Sequence, residues 1–391
     1  MTVDVSFLAD LVTASHRIVP DDLPRLVRTH GERLGARDST LYLADLDQRR
    51  LVALCDDKAA TIPDVSIDGS LAGRCFRSVT VVDTRQGDAD TTVWIPVVDG
   101  TERVGALQLV FAHELPPVDV MEGFAGILAE LVVTKGAYGD FFACARRTEP
   151  LTVGSELLWQ LLPPLTLAVD DLVIAAAFVP TARLGGDAFD YGVDHTAANV
   201  AIFDALGHDL DAGLLATTAV AAFRNARRSK FDLTGTAEHI GQNISAHFDA
   251  SKFVTGIVSS LELATGRFSW CSAGHPWPLL IRDARVVKRL ESRGGQPFGV
   301  GPSSPVHVEQ LEPGDRVLLY TDGVTERRDA DGELIELEKL VDLLSHASPD
   351  DPPPEAIRLL VHAIEAQNHG AMHDDATVVL IEWRGDGSRQ M

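Results

Sequence analysis

Two aspartates stand at the ends of what reads as one β-hairpin. Asp187 lies in Arg183-Leu184-Gly185-Gly186-Asp187-Ala188-Phe189-Asp190-Tyr191, and Asp204 in Ile202-Phe203-Asp204-Ala205-Leu206-Gly207-His208. Phe189 to Val193 alternates bulky and polar residues, Asp194 to Ala197 reads as a turn, and Asn199 to Phe203 is apolar again. Pairing of the two arms brings the carboxylates together. Carboxylates held that close share either a proton or a metal ion; the plain alternative is two exposed turn aspartates. The glycines before Asp187 let the backbone approach something closely, where side chains would block it.

Three later segments join this pair. Asp322 follows the apolar strand Val317-Leu318-Leu319-Tyr320 and precedes Gly323; Asp374-Asp375 directly precedes the apolar strand Ala376 to Leu380; Ser272-Ala273-Gly274-His275-Pro276 ends a strand in a glycine turn. Acids at strand ends beside tight turns can meet at one rim of a β-sandwich. Four or five carboxylates there repel one another unless cations neutralise them. Hard oxygen ligands point to Mg²⁺ or Mn²⁺, and two such ions sharing a water generate a nucleophile for in-line attack on phosphorus. His208 and His275 stand beside glycine turns as either general acids or fold-shaping residues, and Asp190 reads as structural.

The elements that position these acids fall in the second half of the chain. Strands are expected at 172–179, 189–193, 199–203, 253–263, 267–271, 279–281, 285–290, 316–320 and 376–383, with helices at 211–228, 236–248, 335–344 and 354–366. Two antiparallel sheets with helices outside is the natural packing, because each sheet has a face to cover. The first half reads as two helices within 5–35, short strands at 41–43, 51–54 and 79–82, and a helix at 69–77 introduced by Asp68. A hairpin follows around Asp99-Gly100-Thr101-Glu102, and a helical pattern runs from Pro117 to about Leu162. Val120, Phe124, Ile127, Leu128, Leu131 and Val132 form its apolar stripe, and Pro163-Pro164 ends it.

With 391 residues, two domains are expected, and 45% hydrophobic with 23% charged residues is ordinary for a globular protein. A net charge of −23 argues against nucleic acid as a partner. Cys55, Cys75, Cys144 and Cys271 show no metal-finger or disulfide spacing, which suits reduced thiols in a cytosol. The start of the chain has no cationic signal region, and no window is long and apolar enough to span a membrane, so a cytoplasmic location is expected.

Residues 5–140 resemble a GAF domain through "STLYLADLDQRRLVAL", "IDGSLAGRCFRSVTVVD" and "TTVWIPVVDGTERVGALQLVF". That resemblance implies a sensor or a dimerising module and names no ligand. Residues 165–385 carry "RLGGDAFDY", "FDALGH", "AGHPWPLL", "LLYTDGVTERRDADGE" and "DDATVVLIE" in order, and so resemble the SpoIIE-type branch of the metal-dependent (PPM) Ser/Thr protein phosphatases. The Gly-Gly-Asp is unlike that of diguanylate cyclases, which continue with Glu-Glu-Phe where this chain has Ala188-Phe189.

Together the resemblances imply an α+β chain: a GAF-like sensor domain at 1–140, a helical linker at 141–165 and an αββα phosphatase domain at 166–391. They also imply two Mn²⁺ or Mg²⁺ ions held by Asp187, Asp204, Asp322 and Asp374, with Gly207 or its neighbour giving a carbonyl. Asp375 orients the site or exchanges roles with Asp374. The activity implied is hydrolysis of phosphoserine or phosphothreonine, on a phosphorylated STAS-type anti-sigma-factor antagonist. The apolar stripe from Val120 to Val132, continued by Leu157, Leu158, Leu161 and Leu162, is more than a single surface helix needs, and predicts a homodimer through the GAF domain and the linker helix. A pseudophosphatase that binds a partner without turnover, or an enzyme for small phosphoesters, are the competing readings. The family usually has glycine where this chain has Asp209, which puts an extra negative charge near the metals.

Overall fold

The structure, a computed structural model, describes residues 5–56, 62–84, 90–148, 150–179, 185–207, 210–324, 352–366 and 375–385. The chain divides into two units, Met1–Pro150 and Leu151–Met391.

In the first unit, α1 (Val5–Ser15) and α2 (Leu23–Arg33) lead into β1 (Asp38–Ala44), β2 (Arg50–Ala53), β3 (Val65–Ser66), α3 (Leu71–Ser78), β4 (Val82–Thr84), β5 (Thr91–Asp99) and β6 (Glu102–Phe111), followed by α4 (Val118–Gly136) and α5 (Phe141–Arg146). The described strands form an antiparallel sheet in the order β3-β2-β1-β6-β5-β4. Strand alternation divides its side chains between two cores. Leu41 and Leu43 face a cluster with α1, α2 and α4, while Tyr42 and Ala44 face Cys75 and Phe76 of α3. Helix α3 begins later than expected: Ser70, not Asp68, caps it, its Oγ accepting from Gly73 N–H at 2.9 Å.

The helical pattern expected from 117 to 162 is three helices, and residues 141–165 are not one linker. Phe142 of α5 packs in the first unit's core, whereas Leu158 of α6 (Val153–Leu161) packs in the second's. The α4 stripe, Val120 to Val132, is buried within its own unit.

The second unit continues through β7 (Thr166–Val169), β8 (Leu172–Val179), β9 (Asp187–Val193), β10 (Ala197–Ala205), α7 (Leu210–Arg228), α8 (Leu233–His247), β11 (Val254–Glu262), β12 (Arg267–Ala273), β13 (Leu279–Arg282), β14 (Arg285–Arg289), β15 (His307–Gln310), β16 (Arg316–Tyr320), α9 (Pro353–Ala366) and β17 (Ala376–Trp383). Among the described residues these make two antiparallel sheets, β15-β12-β11-β10-β9 and β14-β13-β16-β17-β8-β7. Val379 and Ile381 of β17 share a core with Ile202 and Ile257 of the other sheet, so the sheets pack face to face. Val378 and Leu380 point the opposite way, onto Ile357 and Leu360 of α9. Helices α7 and α8 cover the outer face of the five-stranded sheet through Leu215, Phe223, Ile240 and Ile244. The expected helix at 335–344 lies outside the described residues.

One polar cluster ties α7 to this scaffold. Asp190, 1% exposed, accepts from Arg224 Nε and Nη2 at 3.0 and 2.7 Å and from Arg227 Nη2. Arg224 Nη2 also donates to the Leu161 carbonyl at 2.6 Å, at the end of α6. Two guanidiniums on one buried carboxylate satisfy its lone pairs and clamp helix to strand. Asp190→Ala leaves both cations facing a dry strand and should destabilise the protein by about 3 kcal/mol. The expected readout is a lower urea midpoint at unchanged slope.

Candidate active site

The β9–β10 register places Asp187 directly opposite Asp204, with Ala188 opposite Phe203 and Phe189 opposite Ile202. Asp187 is 4% exposed, at the first residue of β9. Its carboxyl is held well above the usual carboxylate range, by burial first and then by the charges of Asp204 and Asp375. A hydrogen bond from Thr321 opposes that rise: its Oγ1 donates to Asp187 Oδ2 at 2.7 Å.

Thr321 and Asp322 bring in the second sheet. Strand β16 ends at Tyr320, Thr321 N–H donates to the Thr377 carbonyl at 3.1 Å, and Asp322 opens a single 3₁₀ turn to Val324. Asp375, 2% exposed, lies just before β17. Two glycines make this crowding possible. A Cβ on Gly185 would fall 0.8 Å from Asp375 Oδ2, and one on Gly323 would fall 1.7 Å from the Asp375 carbonyl oxygen. The Asp375 carboxylate therefore occupies the space beside Gly185, and the β16 turn lies against the start of β17.

Asp187, Asp204, Asp322 and Asp375 thus gather where strand ends of both sheets meet, with Gly207 two residues beyond β10. Asp374, His208 and Asp209 lie outside the described residues. Among the described residues, no group of three or more His, Cys, Asp or Glu side chains is arranged to hold an ion. The donor set itself fits a hard divalent cation. It offers the carboxylate oxygens of Asp187, Asp204, Asp322 and Asp375, and a cation relieves the repulsion that raises Asp187.

His275 closes the same rim. Its Nδ1 lies 2.9 Å from Thr255 Oγ1, and Thr255 is the cross-strand neighbour of Asp204. Burial pushes its imidazole down to about 3, with the Tyr320 backbone only partly opposing this. Burial therefore favours the neutral ring near pH 7. Thr321, Thr255 and Thr377 gave no signal in the sequence, because a hydroxyl beside an acid is ordinary until the partner strand is known.

Residues 194–384 match the family described as Stage II sporulation protein E (SpoIIE). Phosphoserine phosphatase RsbU of Bacillus subtilis is 25% identical over 217 residues, covering 54% of this chain and 63% of RsbU. Phosphoserine phosphatase RsbP of the same organism is 24% identical over 163 residues, 40% of each chain. The matches thus span less than two thirds of these relatives' own lengths. The structure of the RsbU and RsbW domains of Rv1364c from Mycobacterium tuberculosis is similar at 28% identity and a TM-score of 0.47, covering 56% of this chain and 62% of that one.

The two buried titratable groups give opposite pH dependences. A histidine that titrates at about 3 when folded and near 6.5 when unfolded binds a proton on unfolding between those values, so stability falls as pH drops through that window. Asp187, raised in the folded state, works the other way and loses stability as pH rises through its folded value. In thermal melts without added metal, wild type should lose stability relative to His275→Gln from pH 6.5 down to 4, and Asp187→Asn should lose less than wild type as pH rises. Parallel curves for His275→Gln and wild type would show that the imidazole is not buried neutral.

Proposed function

From the match of residues 194–384 to the SpoIIE family, we propose that the second unit is a divalent-metal-dependent phosphatase acting on phosphoserine or phosphothreonine in a protein. The observation that carries this reading is the register that sets Asp187 against Asp204 at the rim where Asp322 and Asp375 also arrive. Mn²⁺ or Mg²⁺ ions, when bound, neutralise phosphoryl oxygens and make water acidic enough to attack phosphorus at neutral pH. The chain's part is to hold them: Asp187 and Asp204 from one sheet, Asp322 and Asp374 from the other, with a carbonyl at or beside Gly207. Asp375, wedged beside Gly185, orients Asp187 or takes the place of Asp374. The neutral His275 and the threonines around it keep the rim dry without adding charge.

RsbU and RsbP are phosphoserine phosphatases, which supports a phosphoprotein substrate. The resemblance to SpoIIE-type enzymes supports a phosphorylated STAS-domain protein. The first unit is read as a GAF-like sensor that regulates the second and joins two chains. Because its α4 stripe is spent on its own core, the dimer contact falls to exposed positions such as Val118, Val133 and Tyr138. A partner-binding pseudophosphatase is the competing reading.

Hydrolysis of p-nitrophenyl phosphate and of a phosphoserine peptide should require Mn²⁺ or Mg²⁺ and vanish on chelation. Asp187→Asn and Asp322→Asn should each lower turnover by more than about 100-fold, given that even outer partners of metal ligands are worth roughly 10- to 100-fold. Comparing Asp374→Asn with Asp375→Asn identifies the direct ligand. Absence of turnover in wild type at millimolar Mn²⁺ would favour the pseudophosphatase. Light scattering should give twice the chain mass for the full protein and a single chain mass for residues 151–391, and the two should need different Mn²⁺ concentrations for half-maximal turnover.

A further inference from the structure

Thr321 stands where the two sheets of the second unit touch at the acidic rim. It is fully buried. Its Oγ1 accepts the Thr377 N–H at 3.0 Å and lies 2.7 Å from Asp187 Oδ2. A hydroxyl has one proton, and an N–H can only donate. With Thr377 N–H donating to the oxygen, the Thr321 proton is directed at Asp187. The side chain is β-branched and has few χ1 choices, and its backbone is fixed by pairing with Thr377.

We propose that Thr321 is a positioning residue for the metal-binding carboxylates: its hydroxyl fixes Asp187 Oδ2 of one sheet at a set place relative to Asp322, the next residue of the other. The proposal rests on the metal-dependent reading above. Asp187 and Asp322 belong to different sheets, and ion-binding geometry depends on how far apart those sheet ends sit. The Thr321 bond sets that spacing with a neutral group, so it adds nothing to the charge at the rim. It engages Oδ2 of the Asp187 carboxylate. A merely structural role would use the methyl group as core filling and make little use of the hydroxyl.

The two roles separate through Thr321→Val, which keeps the shape and loses the donor, and the pair Thr321→Ser and Thr321→Ala, which share the lost methyl and differ by the hydroxyl. Mn²⁺ binding to the full chain is measured by calorimetry without substrate, with kcat and KM for p-nitrophenyl phosphate and melting in chelator alongside. Positioning predicts Mn²⁺ affinity about 10- to 100-fold weaker in Thr321→Val and Thr321→Ala, and a Thr321→Ser protein within about threefold of wild type. The Mn²⁺ needed for half-maximal turnover should rise in the same order, with KM at saturating Mn²⁺ little changed. Should Thr321→Val fail to fold, the serine–alanine comparison decides alone. Equal Mn²⁺ affinities for serine and alanine, or a valine protein that binds as wild type does, overturn the positioning role and leave the phosphatase reading intact. A wild-type chain that binds no Mn²⁺ overturns both.

Discussion

A carboxylate removed from water and set against a second carboxylate is unfavourable on two counts, desolvation and repulsion. Asp187 is in that position, and the second unit is built around keeping it there. The β9–β10 ladder holds it opposite Asp204, and sliding the pairing by one residue would turn the whole apolar face of β9 outward. The core between the sheets, with Phe189, Ile202, Val379 and Ile381, makes such a slip costly. The strain at the rim is therefore sustained by packing far from it. A cation is the natural complement, because it converts the repulsion into attraction without moving a strand.

Strand β9 treats its two aspartates in opposite ways. Asp187 points between the sheets, where the Thr321 hydroxyl donates to it. Asp190, three residues on and therefore on the other face, meets two guanidiniums from α7. One carboxylate has its countercharge supplied by the chain; the other leaves room for a countercharge from solution. The same period-two geometry that buries both acids separates a structural ion pair from a site fit for chemistry. Asp190 also links α7 to the end of α6 through Arg224, so the helix following Gly207 is fastened to the scaffold at its far end.

The hairpin was legible because its signals are local: alternation along β9, a turn at Asp194 to Ala197, and an acid at each end. The face-to-face sheets and their outer helices followed from apolar strands needing cover on both sides. Strands β3, β7 and β15 escaped notice because two to four residues give too little period to read. The segment from Pro117 to Leu162 looked continuous because apolar spacing persisted through it. The breaks at Gly139 and Pro150 matter once α5 and α6 are seen to serve different cores. Thr321 was invisible for another reason. Its partner Asp187 lies 134 residues earlier, and no local pattern reports a bond between sheets.

The central place of β17 has a bearing on how the second unit comes to exist. Its register runs Ala376 to Val179 on one side and Tyr320 to Val378 on the other, so it joins β8 to β16 in the middle of the six-stranded sheet. On a ribosome, β8 emerges long before the strand it must pair with. Until then the run Leu172-Val173-Ile174-Ala175-Ala176-Ala177-Phe178 has one unpaired edge and an apolar composition suited to sticking to other chains. Pairing so distant in sequence is slow, because a long loop must close before any contact rewards it. The rim that gathers Asp187 and Asp322 is consequently among the last features to assemble. A chain that stops short of β17 carries the Asp187–Asp204 pair and lacks the Asp375 side of the rim.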